Sequence, residues 1–171
     1  QWSEDTWDED IRLMKLAGVN APTLCVFAWI ALEPSEGNYD FTWLDNIIEK
    51  LSANDISFVM ATPSAATPQW MSQNHPETLR VRHDGVRHPH KVRVNYCLSS
   101  PVYRHAAKKM AAALAKRYGK HPNLLLWHVN NEYHGECHCN LCQDNFRDWL
   151  KQRYGSLDAL NKAWWPRFWC H

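Results

Sequence analysis

The stretch Leu124–Cys142, L-L-L-W-H-V-N-N-E-Y-H-G-E-C-H-C-N-L-C, decides how the rest of the chain is read. Its apolar start, Leu124-Leu125-Leu126-Trp127, predicts a fully buried strand of a parallel sheet. The run ends in the polar cluster Asn130-Asn131-Glu132-Tyr133, and Cys137-x-Cys139-x-x-Cys142 follows. One segment thus carries a carboxylate at a strand end and three thiols at metal-ligand spacing. Together they predict an active site with a metal-clamped loop beside it.

Working outward, apolar runs alternate with helical patterns. Ser3 to Ala17 reads as a helix, with Ser3 as its cap, Glu4 and Asp5 at the positive end of the dipole, and Gly18 as its left-handed stop. Val19 to Phe27 reads as a strand, Trp29 to Tyr39 as a loop, Thr42 to Ala53 as a helix and Ile56 to Ala61 as a second strand. Pro68 fits the first turn of a short helix through Met71. Ser100-Pro101 is a cap followed by proline at the first helical position, opening a helix to about Tyr118. Gln143 to Tyr154 and Leu157 to Trp164 close the series as helices. Alternation of this kind predicts βαβ units around a parallel sheet.

Between them, Ser72 to Tyr96 lacks clear periodicity and holds Arg80, Arg82, Arg87, Lys91 and Arg93. A loop this long is unusual unless it has a function. Most of its charges are expected to be solvated. Net charge is +1, so nothing drives the chain as a whole toward nucleic acid or an anionic membrane, and no nucleic-acid partner is expected. No apolar run reaches membrane-spanning length, and phosphate-binding glycine motifs are missing. The 171 residues suffice for a real core but fall short of the roughly 250 of a complete (β/α)8 barrel. Gln1 and the aromatic end at Trp164–His171 read as cut ends of a longer chain, with no signal peptide. Ten tryptophans are expected mostly to fill the core, with a few free to stack on sugar faces.

Parallel β/α barrels carry their chemistry at the C-terminal ends of the strands. Glu132 is in that position. A carboxyl group in a partly dry cleft there holds a proton and can give it to a leaving oxygen. Asn131 can hydrogen-bond a substrate hydroxyl. The plainer alternative makes Glu132 an acid before a helix and Asn130 and Asn131 turn residues. Clustered thiols suit a structural zinc in a reducing compartment better than mutual disulfides. Zinc needs a fourth ligand, and spacing leaves Cys97, Cys25, Cys170 and His138 open.

Several motifs resemble one family from end to end. They include W-x-E-D-I-R-L-M-K-L-A-G-V-N (Trp7–Asn20), F-A-W-x-x-L-E-P (Phe27–Pro34) and Y-D-F-x-W-L-D (Tyr39–Asp45). A-T-P-x-x-x-T-P-x-W (Ala61–Trp70), R-V-N-Y-C-L-S-S-P-V-Y-R (Arg93–Arg104), W-H-V-N-N-E-Y (Trp127–Tyr133) and the helix motif Phe146–Trp164 continue the match. The chain resembles the N-terminal part of the catalytic barrel of glycoside hydrolase family 42 β-galactosidases.

The resemblance implies a (β/α)8 TIM barrel, of which residues 1–171 cover roughly the first half, from the first helix to just past the fourth strand. It implies one partial barrel domain with a zinc-binding loop region at about 97–142. It further implies a retaining enzyme acting on terminal non-reducing β-D-galactose, with Glu132 as acid/base and with Arg93 and Asn131 binding substrate. Structural zinc would be held by Cys97, Cys137, Cys139 and Cys142. The nucleophile, a Glu after the seventh strand, and the first strand lie outside these residues. Glu33 is not used as nucleophile in the family. The implied full-length protein is a cytoplasmic homo-oligomer, a trimer by resemblance. A different class stays open, a zinc-stapled fragment that only binds carbohydrate or a partner.

Overall fold

The computed structural model describes residues 3–91 and 93–165. Readings that touch Gln1, Trp2 or the end from Pro166 to His171, including Cys170 as a ligand, lie outside the described residues.

The N-terminal helix is α1 (Trp7–Leu16), entered through a 3-10 turn at Glu4–Thr6. Ser3 makes no side-chain cap bond. Instead the Thr6 hydroxyl donates to the Ser3 carbonyl at 2.8 Å. Gly18 ends the helix at φ +72°, a left-handed conformation that costs glycine little. Predicted strand 19–27 shrinks to β1 (Thr23–Leu24), because Cys25 takes φ +70° and turns the chain out of the ladder. The predicted loop then opens with a short helix, α2 (Trp29–Leu32), whose Trp29 and Leu32 are fully buried.

Helix α3 (Thr42–Ser52) buries Leu44, Ile48 and Leu51 at helical spacing. It leads into β2 (Phe58–Ala61). Pro68 caps α4 (Gln69–Asn74) from outside, one position before the predicted one. The long basic segment is built rather than loose. It contains a 3-10 turn at Pro76–Thr78 and antiparallel bridges Leu79↔Tyr96 and Val81↔Arg87. Helix α5 (Pro101–Tyr118) starts as predicted: the Ser100 hydroxyl accepts from the Tyr103 amide at 3.3 Å. Tyr103 and Tyr118, not anticipated as core, are buried alongside Met110 and Leu114.

Strand β3 (Leu124–His128) completes a three-stranded parallel sheet in the order β1-β2-β3. Val59 faces Thr23 on one side and Leu126 on the other, with an irregularity between Phe58 and Val59. The core lies between this sheet and α2, α3 and α5. β3 is not the fully buried strand predicted for it: Leu125 is 55 % and Leu126 65 % exposed. It forms an edge of the sheet, and no described element of this chain covers its outer side. Helices α6 (Asn140–Tyr154) and α7 (Leu157–Trp164) follow, and neither has a buried residue. Among the described residues no helix is long and apolar enough to cross a membrane.

Candidate functional site

Because the strands are parallel, their C-terminal ends share one side of the sheet. The segments that leave there are Cys25–Phe27, Thr62–Ser64 and Val129–Glu132. Asn130 ties two of them together. It is fully buried with φ +59°, in a region that Asn tolerates better than most residues. Its amide donates to the Thr62 hydroxyl at 2.7 Å. Its Oδ1 accepts from the Ser64 hydroxyl at 2.8 Å and from the Tyr96 hydroxyl at 3.2 Å. Tyr96 stacks on Tyr103 at 4.0 Å between ring centroids, and Tyr103 donates to the Ser64 carbonyl at 3.1 Å. Burial pushes the Tyr103 hydroxyl strongly upward in pKa, so it stays a proton donor.

This network fixes the turn from which Asn131 and Glu132 project. Asn131 keeps its Nδ2 buried and without a hydrogen-bond partner among the described residues. A buried donor of this kind costs free energy until an acceptor arrives. Glu132, at φ +50°, is exposed and not in a dry cleft as predicted. Among the described residues, β3 has a strand partner on one side only. The Arg93 guanidinium donates to Glu132 Oε2 at 2.9 Å and lies 5.7 Å from the centroid of the Phe27 ring. The structure therefore brings all three predicted polar residues to one strand-end face. It adds Asn130, Thr62, Ser64, Tyr96 and Phe27, to which the sequence alone assigns no part in the site. Asn130 stood in the sequence as a turn residue, and only its repeat with Asn131 hinted at more.

The cysteines form a second centre beside the first. The sulfurs of Cys97, Cys137, Cys139 and Cys142 all lie within 4.8 Å of one another. Cys97 Sγ is 3.3 Å from Cys142 Sγ and 3.7 Å from Cys139 Sγ. Tetrahedral zinc with Zn–S bonds near 2.3 Å sets its sulfurs about 3.8 Å apart, so the four residues fit a metal ion. Burial raises the Cys137 thiol. The backbone amides of Cys139 and Val81, together with the Cys139 and Cys97 side chains, outweigh that and bring it down to about 7. Cys139 also caps α6, whose positive end favours thiolates. Cys97 is pushed upward by burial and by its Cys142 neighbour. The two other candidate ligands among the described residues are not in this group. Cys25 is buried at the end of β1, where burial raises its thiol to about 12, and His138 pairs with Glu136 at 3.2 Å.

This architecture has close known counterparts. β-Galactosidase GanA of Bacillus subtilis is 50% identical over 174 residues, covering 100% of this chain and 26% of that protein. β-Galactosidase BglY of Alicyclobacillus acidocaldarius is 49% identical, covering 98% of this chain and 24% of that one. A solved cold-adapted β-galactosidase from Rahnella sp. R3 superposes with a TM-score of 0.94 at 53% identity, over 98% of this chain and 25% of its own. The chain thus spans about a quarter of the length of these relatives, and its parallel sheet with helices is part of a β/α barrel. The family described as Glyco_hydro_42, beta-galactosidase, matches residues 1–171 from end to end: the chain belongs to glycoside hydrolase family 42.

Proposed function

We propose that residues 1–171 form the acid/base-bearing part of the catalytic barrel of a retaining β-galactosidase. The observation that carries this reading is Glu132 at the C-terminal end of β3, with Arg93 on its carboxylate and the unsatisfied Asn131 amide beside it. Glu132 protonates the glycosidic oxygen as the C–O bond breaks. A second carboxylate, supplied from outside residues 1–171, attacks the anomeric carbon and forms the glycosyl-enzyme. Glu132 then takes a proton from water, which releases galactose and restores the nucleophile. Asn131 and Arg93 bind sugar hydroxyls, and Arg93 exchanges its Glu132 contact for them.

In the full-length enzyme carrying these residues, Glu132→Gln is expected to lower turnover of a nitrophenyl β-galactoside. The loss should be on the order of a hundredfold or more, the usual share of a general acid. Unchanged turnover would sink the assignment. The 171-residue chain alone is expected to give none, because retention needs two carboxyl groups about 5–5.5 Å apart.

The metal of the cysteine centre is proposed to be zinc, one per chain, held by Cys97, Cys137, Cys139 and Cys142. Four thiolates leave no open position, so its part is structural. It would tie the segment bearing Arg93 to the segment bearing Glu132. Metal analysis of reduced protein should return about one zinc per chain, and Cys142→Ser should reduce it. A folded protein without metal would overturn this. Thiolate ligation fits a reducing compartment, so the protein is proposed to work in the cytoplasm, as a homo-oligomer and by family resemblance a trimer.

A further inference from the structure

One residue of the basic segment is an exception to the solvated behaviour expected of most of its charges. Arg80 is 6 % exposed. Its Nε donates to the Tyr96 carbonyl at 2.8 Å and its Nη2 to the His134 carbonyl at 2.7 Å. Its guanidinium carbon lies 5.8 Å from the Tyr96 ring centroid. Burying a cation is costly unless its donors are used. Here both bonds go to backbone carbonyls, not to a carboxylate. A planar fork suits two carbonyls at fixed positions, and the point charge of a lysine does not.

The two carbonyls belong to opposite sides of the site. Tyr96 holds Asn130 through its hydroxyl, so that arm of the fork reaches the turn before Glu132. His134 lies just after Glu132, and its Nδ1 is 2.7 Å from the Glu132 carbonyl. Gly135 follows at φ +81°, and a Cβ there would collide with Arg80 Nη1. The neighbouring Val81 reaches the cysteine loop: its amide lies 3.5 Å from Cys137 Sγ, and its carbonyl accepts from the His138 amide at 2.8 Å. Glu132 itself is exposed and in a left-handed conformation. Asn130 anchors the chain ahead of it. Behind it, the anchor is Arg80.

We propose that Arg80 is a positioning residue for Glu132: its fork from the Tyr96 carbonyl to the His134 carbonyl holds the 132–135 turn. That keeps the Glu132 carboxyl aligned with the leaving-group oxygen. The inference rests on the reading of Glu132 as acid/base.

The test separates alignment of the acid from general damage by varying the leaving group in the full-length enzyme. Phenyl β-galactoside needs protonation as it leaves, whereas 2,4-dinitrophenyl β-galactoside needs little. Arg80→Lys is expected to lower kcat/KM for the phenyl substrate roughly ten- to a hundredfold, the scale of a small misplacement of a reacting group. The dinitrophenyl substrate should change by less than about threefold, with metal content unchanged. An equal loss on both substrates, or no loss on either, overturns the proposal. If Arg80→Lys does not fold, Gly135→Ala displaces the guanidinium from the other side and is judged by the same ratio. Glu132→Gln serves as reference. If it shows no leaving-group dependence, the acid/base reading fails and the Arg80 proposal falls with it. If it shows that dependence and Arg80→Lys does not, only the Arg80 proposal fails.

Discussion

Strands β2 and β3 are both apolar, F-V-M-A and L-L-L-W-H, and they lie side by side in one parallel sheet. Yet Phe58, Met60 and Ala61 of β2 are fully buried, whereas Leu125 and Leu126 of β3 are mostly open to solvent. The same contrast separates α3, which buries three residues, from α6 and α7, which bury none. Phe146, Trp149 and Trp164 instead gather on one another, with Phe146 and Trp149 stacked at 5.9 Å. An apolar pattern states that a face favours burial, but a neighbour has to supply it. β2 has a strand on each side and helices of this chain against it. β3 has one strand partner, and it is also the strand that leads to Glu132.

The sharpest way to break this comparison is a pair of truncations. In urea unfolding of chain 1–171, Met60→Ala should cost about 2–5 kcal/mol, as for a large-to-small change in a packed core. Leu126→Ala in the same chain should cost less than about 0.5 kcal/mol, as at exposed sites. In the full-length enzyme Leu126→Ala should rise toward the Met60 figure, because a barrel strand gains a second neighbour. Equal costs in the short chain would mean that β3 is already covered.

A smaller effect is expected at the exposed aromatic face. Trp149→Ser should leave the unfolding free energy of chain 1–171 within about 0.5 kcal/mol of its starting value. It should also reduce self-association measured by light scattering, since exposed apolar patches drive contact between molecules. A large loss of stability would show that α6 is packed more firmly than its exposure indicates.

The smallest concerns the link between α3 and α5. The Arg117 guanidinium holds the Asp45 carboxyl below its usual range, burial opposes this, and the Tyr118 hydroxyl assists at 2.7 Å. A carboxylate lowered on folding adds stability above its unfolded pKa, near 3.8, and loses it as pH falls through the folded value. Asp45→Asn should therefore cost under about 1 kcal/mol at neutral pH, since the pair is partly exposed. The difference from the parent should begin to shrink at about pH 4 and vanish only once the pH is below the lowered folded value of Asp45. A mutant whose deficit persists unchanged at low pH would refute the ion-pair account.

Local features were the legible ones. Ser100-Pro101 marks a helix start because capping involves only neighbours within one turn, and Leu157–Trp164 likewise carries its helix in its own spacing. Cys137-x-Cys139-x-x-Cys142 is similar: three ligands in one loop need no fold to be seen together. The fourth was undecidable from spacing, since Cys97 arrives from another segment, and its choice came from family resemblance. Asn130 was unreadable as an anchor because Thr62, Ser64 and Tyr96 are distant in sequence. The burial of Arg80 was unreadable for the same reason, its carbonyl partners lying 16 and 54 residues away.

By itself, then, the sequence determined the alternation of helices and strands, the carboxylate at a strand's end and the thiol cluster. Each of these depends on periodicity, capping or ligand spacing within a short span. Only the tertiary structure decided which strand is central, how Asn130 and Arg80 bracket Glu132, and how Arg93 comes to its carboxylate. Those outcomes depend on contacts between distant segments, whose energies appear only once the sheet and its helices have packed.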